Sequence, residues 1–451
     1  MKKDHLALFD RLAASLGNLM RLEMATNVVS DLQLSDATRL AGGCLEIDHE
    51  ALRRSLLEDD AFADVTLDVV RPGDSVRIIH VMDAAEPRWK PEPGSTFPAF
   101  VGPPKTVGEG MTRRLDGVAV LSVSDAVAGE PTYWREAIVD MTGPGADVTS
   151  FGGTTNLVAT FTPAPAYRDA TRADAVVENI MVGSALAQRY NRRVRAAELK
   201  AAAYLARVAA AEASDHVRTY ELGPAPAGLP RVVYFYQLAG ATVYGEAMDG
   251  MLPTLLHPNE VLDGAVVNVR SNVHASNRTS TYANQRHGIV TELLERHGRD
   301  LDFRGVIVYP AASDDINEKE LLAEYAVKLA RVLGADAACA SYSGGGHPAV
   351  EFMLICRKCE RAGICTTLVM PEIYGTPDDP GFVYFVPEAE RIVSTGRTTQ
   401  LVELPRMQRV IGGDAFFDLA GSPGDAQPVL YRYLLGCGTS AGNGRLTARQ
   451  Y

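Results

Sequence analysis

Short apolar segments alternate with helical patterns through the second half of the chain, and this alternation limits the possible folds more than any other feature. Segments that are apolar throughout are typical of strands buried on both faces, as in parallel sheets. Helices between such strands cover both faces of the sheet. We therefore predict an α/β fold with doubly wound, Rossmann-like parallel sheet units in this half. The predicted strands are residues 232–238, 265–269, 306–309, 337–341 and 366–370, and the predicted helices are residues 289–297, 318–333 and 349–362.

The first third of the chain has a different pattern, because short runs of alternating apolar and polar residues dominate it. Runs such as 65–70 and 76–81 are separated by turn-forming proline and glycine, as in RPGD at 71–74. Such alternation is typical of half-buried strands. The sequence therefore predicts an N-terminal β-rich domain, with one short helix at residues 51–57.

These patterns divide the chain into four segments. Residues 1–19 place apolar side chains on one helical face and are predicted to form an N-terminal extension helix. Residues 20–170 are the β-rich domain. Residues 171–228 combine a helical segment, which we expect to extend to about residue 217, with the linker GPAPAGLP. Residues 229–451 are the Rossmann-like α/β domain or domains.

Charge and cysteine content exclude several classes of protein. The chain has 44 basic and 56 acidic residues and a net charge of −12, which argues against binding to nucleic acid or to an anionic membrane surface. No apolar run approaches the ~20 residues that span a bilayer. Six cysteines in 451 residues are typical of reduced thiols. We therefore expect a cytoplasmic protein that contacts no membrane.

A glycine run between a predicted strand and a predicted helix is a candidate binding site. The segment SYSGGGHPAVEF spans residues 341–352, and the N-terminus of a helix in this position favours an anion. His347 lies within the segment and supplies a donor or a base. The alternative interpretation is a flexible turn between strand and helix, and the sequence leaves both open.

Cys356 and Cys359 form a C-x-x-C motif inside a predicted helix rather than at a helix N-terminus. They share a helical face with Phe352 and Met353, so we interpret them as small buried side chains, with a redox role as the alternative. The histidines of the chain lack the spacings of metal-binding motifs. No metal site is predicted.

Several segments, in order along the chain, resemble one known family. They include MRLEMATNVVSDLQL, DVVRPGDSVRIIHVMDAAEPRWK, PTLLHPNEVLDGAVV and ICRKCERAGI. These segments are similar to the precursors of the α and β subunits of component B of glycine, sarcosine and betaine reductases, and more distantly to the D-proline reductase proprotein. The resemblance extends from about Met20 to the C-terminus, which agrees with residues 1–19 being an extension.

The resemblance implies a particular chemistry. In that family the chain cuts itself before an internal cysteine, and the new N-terminus becomes a pyruvoyl group. This carbonyl draws electrons from the C–N bond of an amine substrate. A thiol or selenol on a partner protein then attacks the α-carbon.

The loop that corresponds to the cleavage site reads VRSNVHASNRTSTY, and Asn272 lies at or next to the position of the cysteine. No cysteine occurs between Cys44 and Cys339, and an asparagine side chain cannot perform the cut. Two interpretations remain. Either Ser271 is the nucleophile and the cut follows Arg270, or the chain stays whole. We favour the whole chain, so no cofactor is predicted, and a pyruvoyl group from Ser271 is the alternative.

The candidate site residues are centred on this loop. A loop at the carboxyl end of a strand is the expected position of a site in an open α/β sheet. We expect Asn272 to orient a substrate carboxylate by hydrogen bonding and His274 to move a proton. The candidate catalytic residues are Ser271, Asn272 and His274, and the candidate substrate-binding residues are Glu260, Asp263, Tyr282 and His347.

The resemblance and the altered loop together predict a divergent, unprocessed subunit of a component B-like reductase complex. It would act with a second subunit that carries a reactive thiol or selenol, as a hetero-oligomer, on a small amine or amino-acid-like substrate. One alternative is a non-catalytic scaffold for a catalytic partner. Another is a repurposed biosynthetic enzyme that uses a metal or thiol site.

Overall fold

Strands and helices are mixed along the whole of the chain that the structure describes. The structure is a computed structural model, and it describes residues 20–91, 96–124, 136–167, 185–248, 250–269, 279–311, 315–342, 346–373, 376, 381–417, 419–444 and 446–448. The predicted α/β class is therefore confirmed. The predicted extension at residues 1–19 lies outside the described residues. The helices are α1 (His49–Leu56), α2 (Ala185–Ala206), α3 (Pro258–Leu262), α4 (Thr281–Gln285), α5 (Gly288–Arg296), α6 (Ile316–Val332) and α7 (Pro348–Arg361).

The strands fall into two groups along the chain. Those of the first half are β1 (Leu22–Val28), β2 (Asp31–Ser35), β3 (Arg39–Ala41), β4 (Cys44–Asp48), β5 (Phe62–Val70), β6 (Val76–Ile78), β7 (Val81–Ala85), β8 (Arg88–Trp89), β9 (Gly110–Asp116), β10 (Val118–Val123), β11 (Val139–Asp140), β12 (Thr155–Pro163) and β13 (His216–Tyr220). Those of the second half are β14 (Arg231–Leu238), β15 (Ala241–Val243), β16 (Glu246–Ala247), β17 (Thr254–Leu256), β18 (Val266–Asn268), β19 (Asp302–Pro310), β20 (Ala337–Ser341), β21 (Cys365–Glu372), β22 (Ile392–Arg397), β23 (Leu401–Leu404), β24 (Arg409–Ile411), β25 (Gln427–Leu430) and β26 (Thr447–Ala448).

A seven-stranded sheet organises the second half, with the order β17-β19-β14-β20-β21-β22-β26. The strands from β19 to β22 are parallel, and the two outer strands are antiparallel to their neighbours. Numbered along the chain, the parallel strands have the order 2-1-3-4-5. Four predicted strands, at 232–238, 306–309, 337–341 and 366–370, are confirmed here.

Helices cover both faces of this sheet. Successive residues of a strand point to opposite sides, so one strand contributes side chains to the core on each face. Val233 and Phe235 of β14 lie in one core cluster with the buried side chains of α6 and α7. Tyr234 and Tyr236 lie in another, with residues of α3 and α5. The helices predicted at 289–297, 318–333 and 349–362 are confirmed as α5, α6 and α7.

The predicted strand at 265–269 belongs to a different sheet from the one expected. It forms β18, which pairs with β15 in a small antiparallel sheet rather than in the parallel one. Gly240, with a positive φ of 78°, lies in the short turn between β14 and β15. Strand β15 therefore follows β14 closely, and β18 pairs with β15 instead of with the parallel sheet. Local hydrophobicity predicts a strand but cannot specify its partner.

Strands dominate residues 20–165, as predicted, with the sheets β13-β1-β9-β8, β5-β12-β10-β7 and β2-β4-β3. The predicted short helix is α1, which begins where the Asp48 carboxylate accepts a hydrogen bond from the Ala51 amide at 2.8 Å. Helix α2 packs against these strands through Tyr190, Val194 and Leu205. This strand-rich part therefore has its own apolar core.

The predicted helical segment is shorter at its C-terminal end than the sequence suggested. Helix α2 ends at Ala206, a 3-10 turn covers Arg207–Ala211, and His216–Tyr220 is strand β13, paired antiparallel with β1. The prediction of helix to residue 217 was wrong because the alanines continue past Ala206 while HVRTY is a good strand sequence. Residues 171–184 lie outside the described residues.

The C-terminal part of the chain returns to the strand-rich half. Strand β24 pairs in parallel with β6, and Ile138 forms a bridge with Leu434. The buried guanidinium of Arg77 donates to the carbonyls of Pro405 and Pro423. These contacts tie residues 405–434 to the first half. Among the described helices, none has the length and apolarity to cross a membrane.

Candidate functional site

A small cavity lies at the carboxyl end of β14, with a volume of about 10 Å³, which is roughly the minimum that admits one water molecule. Asn268, two residues before segment 270–278, and Thr279, directly after it, both line the cavity. Described residues on both sides of the candidate catalytic segment therefore meet at this cavity. The lining residues are Tyr236, Gln237, Leu238, Ala239, Ala241, Asn268, Thr279 and Asn284.

Two amide side chains in the cavity wall are oriented by hydrogen bonds on one side only. Tyr236 donates its hydroxyl proton to Asn284 Oδ1 at 2.5 Å, and Gln237 Nε2 donates to the carbonyl of Pro348 at 3.0 Å. Asn284 Nδ2 and Gln237 Oε1 are buried and have no protein partner. Buried polar atoms are normally satisfied. The wall therefore offers one donor and one acceptor to a bound water or ligand.

A neutral hydrogen-bond network lies behind the cavity. Tyr234 contacts His287 Nε2 at 3.2 Å and also bonds to Ser341 Oγ, and the Tyr236 ring lies edge-on to His287. Burial lowers the pKa of His287 to about 3 and raises the pKa of Tyr236. At neutral pH these groups are uncharged, so the described wall holds polar ligand atoms without a formal charge.

The ends of the loop are fixed by a buried carboxylate that the sequence analysis did not single out. Asp83 Oδ1 accepts the Thr281 amide proton at 3.0 Å, and Oδ2 accepts the Thr281 hydroxyl proton at 2.6 Å. Thr281 Oγ1 in turn accepts the Asn268 amide proton at 3.1 Å. A sequence signal existed, since Asp83 is a charge inside the apolar run VMDAA.

The candidate catalytic residues Ser271, Asn272 and His274 lie outside the described residues. Glu260, a candidate substrate-binding residue, has structural contacts instead of facing the cavity. Its Oε2 accepts the His257 amide proton at 2.6 Å, which completes the capping box of α3, and its Oε1 accepts a hydrogen bond from Tyr244. Burial raises the pKa of Glu260.

Asp263 bonds to the strand-rich half. Its Oδ1 accepts a hydrogen bond from Thr112 Oγ1 at 2.6 Å, and its Oδ2 accepts one from the Gly108 amide at 2.7 Å. Lys90 Nζ lies 2.8 Å from Oδ2. Asp263 is fully buried, so it joins the turn after α3 to that half.

Tyr282 and His347 lie on different sides of the loop region. The Tyr282 ring packs edge-on against Phe151, its hydroxyl accepts a hydrogen bond from Arg286 at 3.1 Å, and burial raises its pKa to about 12. His347 is exposed and precedes Pro348, whose carbonyl accepts from Gln237. His347 therefore adjoins the start of α7, where the Pro348 carbonyl orients Gln237 of the cavity wall.

The C-x-x-C motif lies inside α7, as predicted, and both thiols are fully buried. Cys356 Sγ lies 3.3 Å from Thr366 Oγ1. Burial raises the pKa of Cys356 to about 11 and raises that of Cys359 further, which disfavours the reactive thiolate. Within the described ranges, no group of three His, Cys, Asp or Glu side chains is placed to hold a metal ion.

Comparison with known proteins identifies the family. The sequence profile of glycine/sarcosine/betaine reductase component B subunits matches residues 20–428. The chain belongs to this family. It is 31% identical over 407 residues to the glycine reductase complex component B subunits alpha and beta of Acetoanaerobium sticklandii, covering 87% of this chain and 89% of that protein.

Two further members of the component B family have different substrates in their names. The chain is 30% identical over 409 residues to the betaine reductase complex component B subunit alpha of Peptoclostridium acidaminophilum, covering 87% of this chain and 88% of the relative. It is 29% identical over 407 residues to the sarcosine reductase complex component B subunit alpha of the same organism, with 87% and 89% covered. No solved structure matches this chain.

Proposed function

We propose that this chain is a divergent, unprocessed subunit of a component B-type reductase complex. It acts with a partner subunit that carries a reactive thiol or selenol, and it cleaves a C–N or similar polar bond in a small amine or amino-acid-like substrate. Family membership supports the class of complex. The observation that carries the proposal is that Asn268 and Thr279, described residues before and after segment 270–278, line the polar cavity at the end of β14.

The strand order supports this location for the site. In the order 2-1-3-4-5, the connections from β14 and β20 lead to opposite sides of the sheet. Ligands bind outside the carboxyl ends of strands at such a switch point in doubly wound, Rossmann-like sheets, which is the arrangement that we propose here. Gln237, at the end of β14, bonds to Pro348 at the start of α7, the helix after β20.

Within this proposal, Ser271, Asn272 and His274 are the catalytic residues. Asn272 orients the substrate carboxylate and His274 moves the proton. The remaining substrate-binding positions are Glu260, Asp263, Tyr282 and His347. Glu260 and Asp263 contribute by fixing α3 and the turn into β18, since their carboxylates are occupied by protein hydrogen bonds.

None of the described residues beside this segment is suited to form the pyruvoyl group of the family. The hydroxyls beside the segment already have structural bonds, because Ser280 accepts from the Ala283 amide and Thr281 donates to Asp83. No thiol is available between Cys44 and Cys339. Ser271 therefore remains the alternative source.

Location and assembly follow from the same proposal. All six cysteines are free thiols, which supports a reducing compartment, and we propose the cytoplasm. We propose residues 20–170 and 229–451 as the two main structural units, with 171–228 between them. The hetero-oligomer contains this chain and the thiol- or selenol-bearing subunit.

Substrate binding tests the proposed site. We expect the purified protein to bind at least one of glycine, sarcosine and betaine in isothermal titration calorimetry. The variants N272A and H274A should weaken that binding by about tenfold or more, which is the effect of losing one hydrogen bond to a charged group. N277A is the control in the same segment and should bind normally. No binding to any of the three, or equal binding by all variants, would contradict the proposal.

One observation favours the scaffold alternative: the loop that corresponds to the cleavage site contains no cysteine. A scaffold would co-purify with its partner subunit and bind none of the three amines. It would also keep the partner in N272A and H274A. An enzyme subunit would co-purify with the partner and in addition lose amine binding in those two variants.

A further inference from the structure

A guanidinium and a carboxylate, both fully buried, contact the described chain on the two sides of segment 270–278, at Asn268 and Thr281. Arg195 on α2 donates from Nε to the carbonyl of Asn268 at 3.1 Å and lies 3.6 Å from Asp83 Oδ2. Asp83 on β7 holds the amide and hydroxyl of Thr281. Thr281 also accepts the Asn268 amide proton. We call these four residues the loop neck: Asp83, Arg195, Asn268 and Thr281.

A second carboxyl group lies beside the loop neck. Glu198, one turn after Arg195 on α2, accepts a hydrogen bond from Ser122, and its other oxygen is buried with no protein partner. The cluster thus contains one cation and two carboxyl groups, all shielded from water. A second negative charge would lack a counterion. Asp83 pairs with Arg195 and accepts two hydrogen bonds from Thr281. Glu198 is therefore the carboxyl group that keeps its proton.

We propose that Asp83 and Arg195 are positioning residues that fix Asn268 and Thr281, on the two sides of segment 270–278, and that the neutral carboxyl of Glu198 leaves Arg195 as the counterion of Asp83. The inference rests on the proposed function, which places the catalytic residues in that segment. An error of about 1 Å in the position of a catalytic group lowers rates by as much as ~100-fold. Placing the anchors on β7 and α2, outside the loop, gives the segment a rigid base.

Thr281 allows a matched test, since T281V removes the hydroxyl at nearly constant volume while T281S keeps it. Hydrogen exchange would be measured on peptides covering residues 266–269 and 279–284. We expect exchange to accelerate about tenfold in T281V, as for one lost buried hydrogen bond, and to remain at the wild-type rate in T281S. Binding of glycine, sarcosine and betaine should weaken in T281V and recover in T281S.

A control distinguishes the loop neck from general destabilisation. Asp140 is also a fully buried carboxylate paired with an arginine, Arg77, so D140N should lower stability without accelerating exchange in the two neck peptides. Wild-type exchange in T281V, accelerated exchange in T281S, or equal acceleration in D140N would each overturn the proposal. If the wild type binds no amine, the proposed function fails, while the exchange comparison still decides whether the loop neck is fixed as described.

Discussion

Replacing Arg77 with methionine is expected to lower the free energy of unfolding by about 3–5 kcal/mol, as for other broken buried ion pairs. Arg77 and Asp140 are both fully buried, and two hydrogen bonds of 2.7 and 2.9 Å join them. Methionine leaves Asp140 without a counterion, and burial already raises the pKa of that carboxyl. The carbonyls of Pro405 and Pro423 also lose their donor. Urea denaturation followed by circular dichroism measures the loss.

A surface pair of the same chemistry provides the control. Arg39 and Glu46 also form two hydrogen bonds, of 2.9 and 2.8 Å, but the Arg39 side chain is 65% exposed. Solvent screens such a pair, so R39M should leave the urea midpoint almost unchanged. If R39M and R77M lowered the midpoint equally, burial would not be the source of the Arg77 contribution.

The second large effect is a change in the pH dependence of stability in E198Q. The unfolded-state pKa of a glutamate is about 4.3, whereas burial, followed by the charge of Asp83, raises the pKa of Glu198 well above that in the folded protein. The folded state therefore binds the proton more tightly. Glu198 contributes its full stability below the unfolded pKa, and this contribution is lost as pH rises toward the folded pKa. The slope is at most about 1.4 kcal/mol per pH unit.

Glutamine keeps the shape of the neutral carboxyl and cannot ionise. The free energy of unfolding of E198Q should therefore increase relative to wild type as pH rises from 5 to 8, when both are measured by urea denaturation. The comparison cancels the other titrating groups. A difference between the two proteins that is constant across this pH range would mean that Glu198 carries no raised pKa.

The parallel sheet was predictable because its strands are apolar on both faces, which the sequence displays directly. Residues 232–238 and 306–309 contain no charged side chain, and the helices between the strands have the 3.6-residue period. One error concerns pairing, because residues 266–268 joined a different sheet, and the other extended helix α2 into residues that form β13. Strand β13 pairs with β1, almost 200 residues away, and no local pattern carries that information.

The site was predictable only in part, for a similar reason. The candidate loop was chosen from its segment pattern, and Asn268 and Thr279, on its two sides, line a cavity. Asp83 and Arg195 come from segments more than 70 residues from the loop. The charge of Asp83 inside an apolar run was visible, but the sequence does not show which buried charges meet. Glu260 and Asp263 illustrate the converse, because acidic residues near a candidate loop have mainly structural contacts.

The most direct test of the central claim, an unprocessed member of the component B family, is the intact mass under denaturing conditions, before and after treatment with a carbonyl-trapping hydrazine. We predict one species near 48.5 kDa that does not react with the reagent. Two fragments divided between Arg270 and Ser271, with the C-terminal fragment gaining the mass of a hydrazone, would contradict the account. That result would make Ser271 the source of a pyruvoyl group.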